Sequence, residues 1–168
     1  MRRQLSLGLV GALALQVLIM TGVWLNGYYP LWVGREITLV TRPVDPRDWF
    51  RGDYARLDYA ISRLPVAPGS EVGDRVFVPL TPGPGTLPWQ GRRALPAPPA
   101  EGLYLRGRIS AIEVNGQARI RYGIEALFAS RQRARALEKT LRQSAIAVVR
   151  VAPNGKAALV TVVPPAGP

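Results

Sequence analysis

The chain has 168 residues and a formal charge of +11, and all but two of its 22 basic residues are arginine. It contains neither cysteine nor histidine. That excludes disulfides, thiolate nucleophiles, histidine-based triads and the common zinc sites. With 17 glycines and 16 prolines, short strands and turns are favoured over a helical bundle. The arginines are scattered and follow no recognition motif, so no nucleic-acid partner is expected. Attraction to anionic lipid headgroups is the charge-based alternative to plain solubility.

Arg2 and Arg3 precede an apolar run from Leu5 to Leu25, interrupted only by Ser6, Gln16 and Thr21. A bilayer core needs about 20 apolar helical residues, and this run supplies them. Trp24, Tyr28, Tyr29 and Trp32 follow, residue types that gather at the membrane–water interface. The expected organisation is a cytoplasmic stretch 1–4, a transmembrane anchor 5–27 and an interfacial linker 28–35. The positive-inside rule places the amino terminus in the cytoplasm and the rest outside. In a bacterial cell this is the inner membrane, with a periplasmic domain. The one signal-peptidase-like triplet, Ala12-Leu13-Ala14, sits mid-run, too early for a cleaved signal, so an uncleaved anchor is expected.

Residues 36–163 read as a small, mainly β, antiparallel domain, a sandwich or a partly open barrel, with one amphipathic helix. Ile37, Leu39 and Thr41 alternate with Glu36, Thr38 and Arg42. Asp45-Pro46-Arg47-Asp48 forms a turn. Gly52 lets the chain reverse into a strand with Ala55, Leu57, Tyr59 and Ile61 on one face, and Tyr54, Arg56, Asp58 and Ala60 on the other. A short strand follows over 75–80, with Pro79 marking an edge. Residues 79–102 read as a Pro/Gly-rich surface loop. Residues 103–124 predict a hairpin with a bulge near Ser110, an apolar face continuing through Ile112 and Val114, and a two-residue turn at Asn115-Gly116. Ile120, Tyr122 and Ile124 return on one face. Ser130–Ser144 predicts the helix, with Ala134, Leu137, Leu141 and Ala145 as its stripe. A last hairpin, 145–152 and 157–163, turns at Asn154-Gly155, and 164–168 is a tail.

Gly52-Asp53-Tyr54-Ala55-Arg56-Leu57-Asp58-Tyr59, following Pro43-Val44-Asp45-Pro46-Arg47-Asp48, resembles the signature of the GDYXXLXY-domain family. Arg121-Tyr122-Gly123-Ile124-Glu125 resembles that family's second block, and the carboxy-terminal hairpin a third, looser one. The resemblance implies a membrane-anchored extracytoplasmic domain, of a kind often encoded beside or fused to multi-span membrane proteins. It implies no activity. One departure stands out: Ala129-Ser130-Arg131-Gln132-Arg133-Ala134 replaces a stretch that in the family carries an acidic residue and glycines.

Asp53 and Glu125 are the carboxylates best placed for acid/base work, each beside a glycine (Gly52, Gly123) where a strand meets a turn. The plainer reading is that Asp53 caps a turn and Glu125 closes a buried salt bridge. Asp45, Asp48 and Asp53 lack calcium-loop spacing and neighbour arginines, so no metal is expected, and no cofactor. A Ser–Lys dyad fails because Lys139 and Lys156 lie late and no serine follows the span. Trp49, Phe50, Tyr54 and Tyr59 form an aromatic cluster. Of these, Trp49 and Tyr54, flanked by Arg51, have the character of an interface anchor, while Leu57 and Tyr59 turn inward. The function expected is a non-enzymatic interaction module partnering a multi-span membrane protein. The alternatives are an envelope hydrolase or transferase using Asp53 and Glu125, and an arginine-mediated binder of an anionic lipid or glycan.

Overall fold

The computed structural model describes residues 2–42, 54–85, 88–128 and 145–164, with residues 2–7, 54–56 and 127–128 described by their backbone alone. The turn at 45–48, Trp49, Arg51, Gly52, Asp53, the helix expected over Ser130–Ser144 and most of the tail lie outside the described residues.

The first element is a helix, α1, Arg2–Val33. Its segment Gly8–Val33 contains an apolar stretch of mean hydropathy 2.0 that is nowhere buried, while Pro30, near the end, is buried. At 1.5 Å per residue its 26 residues span about 39 Å, enough to cross a hydrocarbon core of about 30 Å. The helix does not stop at residue 27: the stretch expected as an interfacial linker is helical as far as Val33, and Pro30 lies inside it. A proline in a helix leaves the carbonyl four residues earlier without its donor. That carbonyl is Asn26 O, and the Lys156 ammonium donates to it. Arg150 donates to Leu31 O, one of the last four carbonyls that no helix can satisfy internally. Both cations also face the negative end of the helix dipole. Gly34 N–H closes the helix onto Pro30 O at 2.9 Å.

Among the described residues the domain holds ten strands: β1 (Arg35–Arg42), β2 (Tyr54–Arg56), β3 (Asp58–Tyr59), β4 (Arg63–Pro65), β5 (Arg75–Pro79), β6 (Tyr104–Ile112), β7 (Gln117–Arg121), β8 (Ala126–Phe128), β9 (Ile146–Val151) and β10 (Ala157–Val163). They form two four-stranded sheets, β10-β9-β1-β3 and β4-β7-β6-β5, and a two-stranded ribbon, β2-β8. All pairs are antiparallel. One apolar cluster joins the sheets, with Ile37, Leu39, Val149 and Val151 from one and Val76, Val78, Leu105, Ile109 and Ile120 from the other. The mainly β, antiparallel reading of the sequence holds.

Four details differ from expectation. The strand expected over 54–61 is divided: β2 joins β8, β3 joins β1, and a 3₁₀ turn over Ala60–Ser62 carries the chain into β4 of the other sheet. Ser62 Oγ accepts from Tyr59 N–H at 3.0 Å, which fixes this corner. The bulge at Ser110 is present, since the register shifts between Ile109 and Ala111. Beyond it, however, Ile112 and Val114 are exposed.

The Asn115-Gly116 turn, expected with a two-residue loop, has a three-residue one, and the Asn154-Gly155 turn has the same form. Glu113 N–H meets Gln117 O while Gly116 N–H meets Glu113 O, and Ala152, Lys156 and Gly155 repeat the pattern. In each, the Asn side chain accepts from the amide two residues on. A type I turn followed by a left-handed glycine has this form.

Residues 88–95, expected as loose loop, are a packed strap. Phe77 and Leu95 exchange backbone bonds of 2.9 and 2.8 Å, Trp89 N–H reaches Thr38 O at 2.8 Å, and Ala94 N–H reaches Pro65 O at 3.0 Å. The prolines break periodicity, but the intervening amides still find partners along the β5 edge, on β4 and across to β1.

Gly155 (φ +75°) lies against the ring of Tyr104, where a Cβ would come within 2.4 Å. Gly155→Ala is therefore expected to destabilise the fold by about 1–3 kcal/mol, from the backbone conformation and overpacking together. A urea titration followed by near-UV circular dichroism measures this.

Candidate functional site

The signature strand and the Tyr-Gly-Ile-Glu block are neighbours. Tyr54 lies opposite Phe128, Ala55 opposite Leu127 and Arg56 opposite Ala126, and Leu57 N–H donates to Glu125 O at 2.7 Å. Past this point two tyrosines cross-link the segments reciprocally. Tyr59 hydroxyl donates to Ile124 O at 2.6 Å. Tyr122 hydroxyl donates to Ile61 O at 2.6 Å. Both rings are buried, as are Leu57, Ile61 and Ile124. The expectation that Leu57 and Tyr59 turn inward is met; that their phenol partners are the other block's carbonyls was not visible in the sequence.

Glu125 closes the arrangement. One carboxylate oxygen accepts from Tyr122 N–H at 2.5 Å and the other from Gly123 N–H at 2.9 Å. Gly123 has φ +84°, a left-handed conformation that lets consecutive amides point at one anion. The described bonds of Glu125 make it a turn cap, its carboxylate reaching its own preceding amides, while Arg47 and Arg51 lie outside the described residues. Burial, and then the nearby Glu125 charge, push both phenols far above the ordinary tyrosine range. They stay protonated and serve as donors.

Asp53, Gly52, Arg51 and Trp49 lie outside the described residues, and of Tyr54 only the backbone is described. Glu125 is level with Leu57, not with Tyr54, which sits three residues farther along the ribbon. Among the described residues no group of three or more metal-ligating side chains occurs, and every buried side-chain nitrogen or oxygen has a hydrogen-bond partner. Asp45 and Asp48 lie outside this set.

One further polar link was missed. Arg63 pairs with Asp58 at 3.0 Å and with Glu113 at 3.4 Å, tying the corner to the β6–β7 turn. Asp58 lies within the signature, but no spacing rule connects it to Arg63 across a 3₁₀ turn.

The chemistry of this arrangement is donation by two neutral phenols to two backbone carbonyls, with one carboxylate held by two amides. Tyr59→Phe or Tyr122→Phe leaves a buried carbonyl short of a donor, and each is expected to cost about 1–3 kcal/mol by urea denaturation. The alkaline limb follows from the direction of the shifts. Unfolded tyrosines lose protons near pH 10 while the folded ones keep theirs, so the unfolded state binds fewer protons and stability falls as pH rises past about 10. Two such groups give a slope of up to about 2.7 kcal/mol per pH unit, and Tyr59→Phe is expected to halve it.

No curated protein and no solved structure matches the chain significantly. The family model described as GDYXXLXY protein matches residues 16–162, from within the apolar helix to the last strand. The two blocks that the tyrosines lock together lie inside that match, and the chain belongs to the GDYXXLXY protein family.

Proposed function

We propose that the chain is a membrane-anchored extracytoplasmic interaction module that partners a multi-span membrane protein. The observation supporting this is the union of helix and domain. Lys156 and Arg150, from the β9–β10 hairpin, hold carbonyls of Asn26 and Leu31 at the carboxy-terminal end of α1. A domain so fixed presents a constant face to whatever lies beside its anchor, which suits recognition in the membrane plane.

A row of aromatic side chains on the helix supports the same reading. Trp24, Tyr28 and Trp32 have successive ring centroids 4.8 and 6.2 Å apart and are all exposed. An acid/base role draws no support from Glu125, whose two oxygens are both engaged by backbone amides. Releasing them for proton transfer would open the turn.

Affinity purification of the full chain from native membranes in mild detergent tests the proposal. A multi-span membrane protein is expected to co-purify, and its recovery is expected to fall several-fold with Trp49→Ala/Tyr54→Ala and with Arg150→Ala/Lys156→Ala. No reproducible partner, or equal recovery for every variant, would refute it.

A further inference from the structure

The outer face of the β4-β7-β6-β5 sheet carries an unusual register. Arg75 on β5 lies directly opposite Arg108 on β6, and Arg108 directly opposite Arg121 on β7. Three arginines thus form one row across three adjacent strands. All three are exposed, on the face opposite the buried Val76, Val78, Leu105, Ile109 and Ile120. Arg106 precedes the row on the same face of β6, and Arg119 flanks it on β7. Among the described residues the ion pairs involve Arg63 and Arg150, and none involves these five. Arg108 donates to a backbone carbonyl, that of Gly73. Like charges directly opposite each other weaken a sheet, so the row is a cost that a bound anion would offset.

The strand that carries Arg106 and Arg108 starts beside the turn that grips the helix. Tyr104, at the start of β6, packs on Gly155, and Arg106 N–H donates to Gly155 O at 2.7 Å. Gly155 belongs to the turn whose Lys156 holds Asn26 of the helix, between Trp24 and Tyr28. From Tyr104 the strand reaches Arg106 after about 7 Å and Arg108 after about 14 Å. A basic track therefore runs from the interfacial end of the helix onto the sheet. Guanidinium groups bind phosphate oxygens with paired donors, and anionic headgroups attract such segments at short range.

We infer that the Arg75–Arg108–Arg121 row, with Arg106 and Arg119, is a binding face for the phosphate groups of anionic lipids in the bilayer that the chain's own helix spans. The inference does not depend on a protein partner.

The absence of cysteine makes a clean probe available: Gln117→Cys, on the outer face of β7, labelled with a polarity-sensitive fluorophore. The full-length chain is placed in nanodiscs of phosphatidylcholine alone or with about one-third phosphatidylglycerol, without any partner. The expected result is a blue shift in the anionic discs, lost when salt rises from about 0.05 to about 0.5 M, where screening shortens to a few ångströms. Arg108→Gln/Arg121→Gln is expected to lose the shift while melting at the same temperature or a few degrees higher in neutral discs, since the like-charge row is relieved. An equal emission in both discs, or a shift that survives salt or the double substitution, would overturn the assignment. A shift produced in neutral discs by soluble polyphosphate but absent with phosphatidylglycerol would overturn the lipid source in favour of a free phosphate ligand.

Discussion

Two hydrogen bonds organise the domain. Tyr59 and Tyr122 each extend a phenol into the other's segment and satisfy a buried carbonyl there. An unpartnered hydroxyl or carbonyl in that interior would cost about 1–3 kcal/mol, so each ring constrains the path of the chain it touches. The first segment includes the corner where the chain leaves β3 for β4 and changes sheets. The second is the turn from β7 to β8, where the chain leaves the second sheet for the ribbon. Neither corner has regular backbone pairing of its own throughout, and the phenols supply what the ladders do not. Glu125 does the same for the amides of Tyr122 and Gly123. The family's two most characteristic blocks are thereby two halves of one structural device.

The apolar helix follows the same logic at its end. Pro30 removes a donor and the helix terminus removes several more, and the hairpin supplies two cations where carbonyls are left open. The exposed ion pair of Arg150 with Glu36, at 3.8 Å, adds little by itself. The bonds to the helix carbonyls set the orientation, because they act where the backbone has no alternative partner.

Much of this was legible in the sequence. The long apolar helix, the alternation in β1, the inward Leu57 and Tyr59, the bulge at Ser110 and the carboxy-terminal hairpin follow from period, turn chemistry and apolar length. The strap at 88–95 was not legible, because its partners are backbone groups on β1, β4 and β5 and its prolines erase any period. The division of the signature strand was hidden for the opposite reason. Its alternation continues through the corner, so Leu57, Tyr59 and Ile61 all face the core although they serve different sheets. For Glu125, a Gly-x-Glu spacing suggested a carboxylate near a turn, but not that its two oxygens would bind the turn's own amides. Tyr122 was assigned to the buried face without a role, since period gives a ring's direction and not the partner of its hydroxyl.

The basic charge illustrates how composition and placement differ. A bias towards arginine sets how many there are, not where they fall. In the first sheet, outward positions include Glu36, Thr38, Val40 and Arg42 on β1 and Ile146, Val148 and Arg150 on β9, and Arg150 is engaged by the helix and by Glu36. In the second sheet, successive outward positions on β5, β6 and β7 place Arg75, Arg106, Arg108, Arg119 and Arg121 together. Only Arg63, on β4, meets carboxylates there among the described residues. A solubilising surface would intersperse signs, since mixed charge keeps a protein soluble without setting like against like in register. The concentration of one sign on one sheet, starting at the strand that touches the helix-bound turn, is the pattern that a negatively charged membrane surface would complement.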